Sequence, residues 1–128
     1  MGAMAESAFR AAVESKQLDK MLASLAPDVT FRSPVVYKPY EGREATGQIL
    51  AAVVDVFESF RYTAEVSEGD REVLLFEARV GDRDLQGVDI IRLDENGLVA
   101  ELIVMVRPMS GMLALAEAMR DRLAAASA

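Results

Sequence analysis

The stretch Gly87-Val88-Asp89-Ile90-Ile91-Arg92-Leu93-Asp94-Glu95-Asn96-Gly97-Leu98-Val99-Ala100-Glu101-Leu102-Ile103-Val104-Met105-Val106-Arg107-Pro108 sets two apolar runs on either side of Asn96-Gly97. Asn-Gly between such runs is a strong signal for a two-residue β-hairpin. That loop aligns Arg92 with Glu101, Ile90 with Ile103 and Val88 with Met105 on one face. On the other face it aligns Ile91 with Leu102 and Asp89 with Val104. A salt pair and a set of apolar matches arise together, and the same register leaves one carboxylate, Asp89, on the greasier face.

The pattern extends upstream. Segments near 60–67, 72–80, 84–94 and 98–107 are separated by "EGD", "GD" and "NG", which predicts a four-strand antiparallel meander. A Gly81-Asp82 loop puts Arg79 opposite Asp84, and a three-residue Glu68-Gly69-Asp70 connection puts Arg61 opposite Glu77. Phe60, Tyr62, Ala64, Leu74, Phe76, Ala78, Leu85, Ile91, Leu102, Val104 and Val106 then share the face of Asp89. The opposite face mixes Arg61, Glu77, Arg79, Arg92 and Glu101 with an apolar centre of Val88, Ile90, Ile103 and Met105. A sheet face with that much apolar area predicts a partner subunit, and a homodimer is expected through it.

Helical spacing surrounds the meander. Between Glu6 and Leu25 the apolar residues slip phase at "ESKQ", predicting two short helices. Pro27 ends that region, "DVTFRSP" reads as a short strand, and "VVYKPYEG" as a loop. A third helix is expected from Arg43 to about Ser59, weakened mildly by Gly47. A fourth follows Pro108, its Met109 to Leu123 stripe serving as core or pocket lid.

Composition narrows the function classes. With 128 residues, 52% of them hydrophobic, the chain fits one domain with a single core, expected over residues 5–125. The opening Met1-Gly2-Ala3-Met4, with its second Met, fits a cloning remnant and is set apart from the fold. The chain has no Cys and no His, which removes thiolate ligands, the commonest zinc ligand and the usual catalytic base. No residue cluster suggests a metal or another cofactor. A net charge of -7 disfavours nucleic acid and anionic membranes. The apolar runs are too short to span a bilayer and no basic leader precedes them, so a cytoplasmic protein is expected.

Asp89 carries the chemistry. A carboxylate among aliphatic side chains loses hydration, which raises its pKa and favours its neutral, hydrogen-bond-donating form. Such a group is an acid/base candidate, and it is equally a candidate for a structural hydrogen bond to a backbone amide or a Tyr hydroxyl.

Three segments then carry a resemblance that runs nearly end to end: "FRAAVESKQLDKMLASLAPDVTFRSP", "YEGREA" opening the third helix, and "GVDIIRLDENGLVAELIVMVRP". In their order and spacing the chain resembles the nuclear transport factor 2-like superfamily, in particular its SnoaL-like group of small cyclases, isomerases and hydrolases. The resemblance implies an α+β cone, a curved antiparallel sheet wrapped around an apolar pocket, covered by N-terminal helices with a C-terminal helix closing it. In ketosteroid isomerases of this fold an "IDHFRF" strand carries an Asp held protonated to stabilise an oxyanion, and "VDIIRL" is similar at Asp89. Limonene-epoxide-hydrolase-like members take an acid/base Asp from the same strand. The companions differ. Phe9 stands where the isomerases place a Tyr, and Ser33 where they place the base Asp. Gly87, Phe31, Ser33 and Val104 stand where the epoxide hydrolases place Arg, Tyr, Asn and a second Asp.

The expected site is therefore Asp89 as acid/base, with Tyr62, Phe31, Ser33, Leu74, Phe76, Leu102, Val104 and Phe9 around a small hydrophobic ligand. Strand spacing puts Tyr62 about 10 Å from Asp89, a gap that a ligand would bridge. Tyr37 and Tyr40 are candidates for the entrance. Arg107 is expected on the convex face, paired with acids there or across a dimer. Three classes of function follow: an enzyme acting through Asp89, a module that binds an apolar ligand without catalysis, and an assembly domain using the convex sheet.

Overall fold

The computed structural model describes residues 7–127. The expectation for residues 1–4 lies outside them. Two short helices, α1 (Ala8–Ser15) and α2 (Leu18–Ala23), precede β1 (Leu25–Arg32) and the two-residue β2 (Tyr40–Glu41). Then come α3 (Arg43–Val56), the meander β3 (Glu58–Glu68), β4 (Arg71–Val80), β5 (Arg83–Leu93) and β6 (Val99–Arg107), and finally α4 (Met109–Ser127). The six strands form one curved sheet in the order β2-β1-β6-β5-β4-β3.

The helices form where caps and apolar spacing agree. Ser7 opens α1, its Oγ accepting from the Arg10 amide at 3.1 Å, and Phe9, Ala12 and Val13 bury one face. Lys16 closes α1 in the left-handed region at φ 60°. Arg43 ties the start of α3 to β1 by donating twice to the Leu25 carbonyl, at 3.0 and 2.7 Å. Gly47 is more than a weak point in α3. A Cβ there would lie 2.3 Å from Leu22 Cδ2, so any larger residue would force the Leu22 side chain of α2 to shift. An Arg122–Asp55 ion pair at 2.7 Å links α4 to α3.

The expected register of the last hairpin is observed, with Arg92 opposite Glu101, Ile90 opposite Ile103 and Asp89 opposite Val104. So is that of β4 and β5, with Arg79 opposite Asp84 and Leu74 opposite Asp89. Four expectations need correction. The sheet is mixed, because β1 runs parallel to β6, a pairing no hairpin dictates because the whole meander lies between the two strands. β1 begins at Leu25 and includes Pro27, tolerated where the register breaks between Leu25 and Thr30. α3 ends at Val56, since Phe57 is already extended and stacks on Phe60.

The fourth correction moves side chains between faces. The β3–β4 turn is two residues long, Gly69-Asp70 with Glu68 opposite Arg71, and a bulge between Tyr62 and Ala64 restores Arg61 opposite Glu77. Ala64 is consequently exposed, and Glu65 takes its place opposite Leu74 on the inner face.

The helices cover the concave side, where Leu74, Ile91 and Leu102 are fully buried. On the convex side Val88, Ile90 and Ile103 are half-buried and Met105 is 54% exposed.

Candidate functional site

The concave side encloses a cavity of about 560 Å³, within the roughly 300–1,000 Å³ usual for small-molecule sites. α1 contributes Phe9 and Val13, α3 Ile49, Leu50 and Val53, and α4 Leu115 and Met119. The sheet contributes Phe31, Tyr62, Phe76, Asp89 and Val104. β5 turns Asp89 inward because its neighbours Val88 and Ile90 alternate outward.

Asp89, 6% exposed, accepts a hydrogen bond at its Oδ2 from the Tyr62 hydroxyl at 3.0 Å. The two do not stand about 10 Å apart awaiting a bridging ligand. Tyr62 lies two strands away, but its side chain reaches across β4 from the inner face of a sheet curved toward it. Loss of water at the buried carboxyl pushes the Asp89 pKa up to about 7, and the Tyr62 hydrogen bond pulls it part of the way back. Tyr62 is itself held well above the ordinary phenol range, first by burial, then by the Asp89 charge and the bond to it. Tyr62 is thus the donor and Asp89 is poised between its two protonation states near neutral pH.

Gly87 makes room for this arrangement. It lies opposite Phe76 on β4, and a Cβ at Gly87 would come 2.2 Å from Phe76 Cζ and 2.8 Å from the Met105 carbonyl oxygen. Phe76 therefore lies over bare backbone, within an aromatic group that includes Phe57 at 5.8 Å, Phe60 at 5.2 Å and Tyr62 at 6.4 Å.

Of the residues expected at the site, Phe9, Phe31, Ser33, Tyr62, Phe76, Asp89 and Val104 line this one cavity. Leu74 and Leu102 do not; each is 0% exposed and packs in the core, since pointing inward from a sheet centre leads into packing as often as into a void. Ser33 is engaged by backbone, its Oγ accepting from the Val35 and Val36 amides at 3.3 and 3.0 Å. Tyr40 lines the cavity and stacks on Phe31 at 5.9 Å. Tyr37 is 97% exposed and lies outside that wall. Arg107 bonds Gln86 Oε1 at 3.0 Å, its partner in the ladder, and not an acid.

One contributor escaped the sequence reading. The Arg10 guanidinium carbon lies 5.4 Å above the Tyr62 ring, held there by Glu65 at 3.1 Å and Glu14 at 3.4 Å. The i,i+4 spacing of Arg10 and Glu14 beside Phe9 is a signal in the sequence, but Glu65 reaches them only because the bulge turns it inward. Among the described residues no group of three or more His, Cys, Asp or Glu gathers as a metal site, and no helix is long and apolar enough to cross a membrane.

Known proteins share this frame. A crystal structure of a steroid Δ-isomerase from Pseudomonas aeruginosa superimposes with a TM-score of 0.87 at 43% identity, covering 91% of this chain and 87% of that one. A bacterial protein with a cystatin-like fold from Silicibacter pomeroyi DSS-3 gives 0.86 at 36%, covering 90% and 82%. A de novo designed protein with a curved β-sheet gives 0.69 at 14%, covering 87% and 94%, a likeness of fold alone. No curated protein sequence is detectably similar. The profile of the SnoaL-like domain matches residues 6–102, and the chain belongs to the SnoaL-like family.

Proposed function

We propose that the cavity takes up a small, mostly apolar molecule carrying one oxygen function, and that Asp89, oriented by Tyr62, acts on it as a general acid/base. The observation carrying this reading is the buried Tyr62–Asp89 pair facing a mostly apolar cavity. A carboxyl with a pKa of about 7 holds both forms at neutral pH, which suits proton transfer in either direction. The likeness to a steroid Δ-isomerase supports a fused-ring ketone or alcohol as the ligand class.

A second reading, binding without turnover, draws support from Phe9 and Ser33. Phe9 offers no proton, and the Ser33 hydroxyl is engaged by backbone amides. Glu14, the other carboxylate on the wall, is paired with Arg10. Asp89→Asn tests both readings. Conversion of an unsaturated steroid ketone and thermal stabilisation by it are measured on the two proteins. Loss of conversion supports catalysis. Loss of stabilisation from a wild type without turnover supports the binding module. A variant that loses neither retires both readings.

For the convex face the reading is a second copy of this chain. Its apolar centre is flanked by Arg92 and Glu101 and by Arg79 and Asp84, a mixture of signs suited to contact across a two-fold axis.

A further inference from the structure

The charges lining the cavity are unlike those of the whole protein. The chain carries 14 Lys and Arg against 21 Asp and Glu. Yet the exposed charged side chains on the cavity wall are three cations, Lys16, Arg61 and Arg120, and one acid, Glu14. Lys16, Arg120 and Glu14, exposed while lining the cavity, lie at its opening, whereas Arg61 turns its side chain to Glu77 on the convex face. Glu14 is compensated by Arg10 at 3.4 Å, and Arg61 is engaged by Glu77. Among the described residues Arg120 has only its chain neighbour Asp121, at 4.0 Å. Lys16 has no ion pair or side-chain hydrogen bond among the described residues, and its left-handed backbone at φ 60° ends α1 beside the opening. An opening with uncommitted positive charge on an acidic protein runs against the overall field, and such local reversal attracts anions into a cleft.

The geometry points to an amphipathic ligand: an apolar ring system whose oxygen function meets Tyr62 and Asp89, and which carries elsewhere a carboxylate or sulfate that the exposed Lys16 and Arg120 of the cavity wall attract. This rests on the pocket reading above and adds the class of the second functional group. Most of the rest of the wall is apolar, with Phe31, Val53, Phe60 and Leu115 among its residues, so a charge set against those side chains would lose hydration without a partner.

A matched pair of probes tests it: a four-ring sterol acid with its carboxylate on the side chain, and the methyl ester of the same molecule. Binding of each is measured by isothermal titration calorimetry at low salt and at high salt. Wild type is expected to prefer the acid by about five-fold or more at low salt, with the preference shrinking as salt screens the rim. In Lys16→Gln/Arg120→Gln, both exposed positions, the preference is expected to vanish while ester affinity holds. Equal binding of acid and ester to wild type, with Asp89→Asn still weakening both, overturns the anionic end and leaves the pocket reading standing. A double variant that keeps the preference also overturns it. Failure of both probes to bind wild type overturns the anionic end together with the pocket reading on which it rests.

Discussion

Asp89 is costly to keep ionised in its surroundings, and that cost makes a pH-dependent prediction. Its folded pKa is about 7, against about 3.9 for a free Asp side chain. Between those values the folded state binds the extra proton, so stability must fall as pH rises from about 4 to about 7 and level off above. Other charges near the pair are Glu14 and Arg10 on α1 and Glu65 on β3, mutually paired. Wild type is expected to melt several degrees lower at pH 8 than at pH 5.5. Asp89→Asn should flatten that slope and exceed wild type at pH 8, because Asn accepts from Tyr62 without a buried charge; thermal melts across the range check it. Gly87 supports the site differently. Gly87→Ala is expected to lose about 1–3 kcal/mol in denaturant melts, since its Cβ would meet the Phe76 ring and the backbone oxygen of Met105. Neither effect is legible one residue at a time, for a carboxylate or a glycine in a strand takes its meaning from what lies across the ladder.

Among the elements, α1 depends most on distant partners. Ser7 caps it, donates to Glu72 Oε1 at 2.7 Å, and has its amide bound by Glu65 Oε2 at 3.1 Å. Ser7→Ala removes the cap and leaves Glu72 without that partner, an expected loss of about 1–2 kcal/mol in denaturant melts. Hydrogen exchange should rise first along α1, and a uniform rise over the whole chain would contradict a local role. The meander and the helices were readable because period and turn chemistry act locally: Asn96-Gly97 and Gly81-Asp82 set their hairpins unaided. Turn chemistry predicts a β3–β4 connection one residue longer than the observed Gly69-Asp70, and Arg61 still meets Glu77 because the Tyr62–Ala64 bulge absorbs the difference. Bulges leave no local signature, so the exchange of Ala64 for Glu65 on the inner face was hidden.

At the scale of the whole molecule the concave side holds the cavity, and the convex side, with Met105 54% exposed, is where we propose a second copy docks. Ile103→Glu places a charge in the middle of that convex face and is expected to yield monomers by sizing chromatography with light scattering, with the melting profile retained. An unchanged mass would remove the dimer reading. The sequence by itself determined the fold class, the register of the β4–β5 and β5–β6 hairpins and the inward direction of Asp89, because each follows from periodicity, turn residues and nearest-neighbour pairing. Tertiary structure alone decided the parallel union of β1 with β6, the direct Tyr62–Asp89 hydrogen bond, the placing of Arg10 over Tyr62, and the sorting of Leu74 and Leu102 into the core and Phe76 and Val104 onto the cavity wall. These depend on how far the sheet curves and how closely helices approach it, quantities summed over many contacts and written in no single stretch of chain.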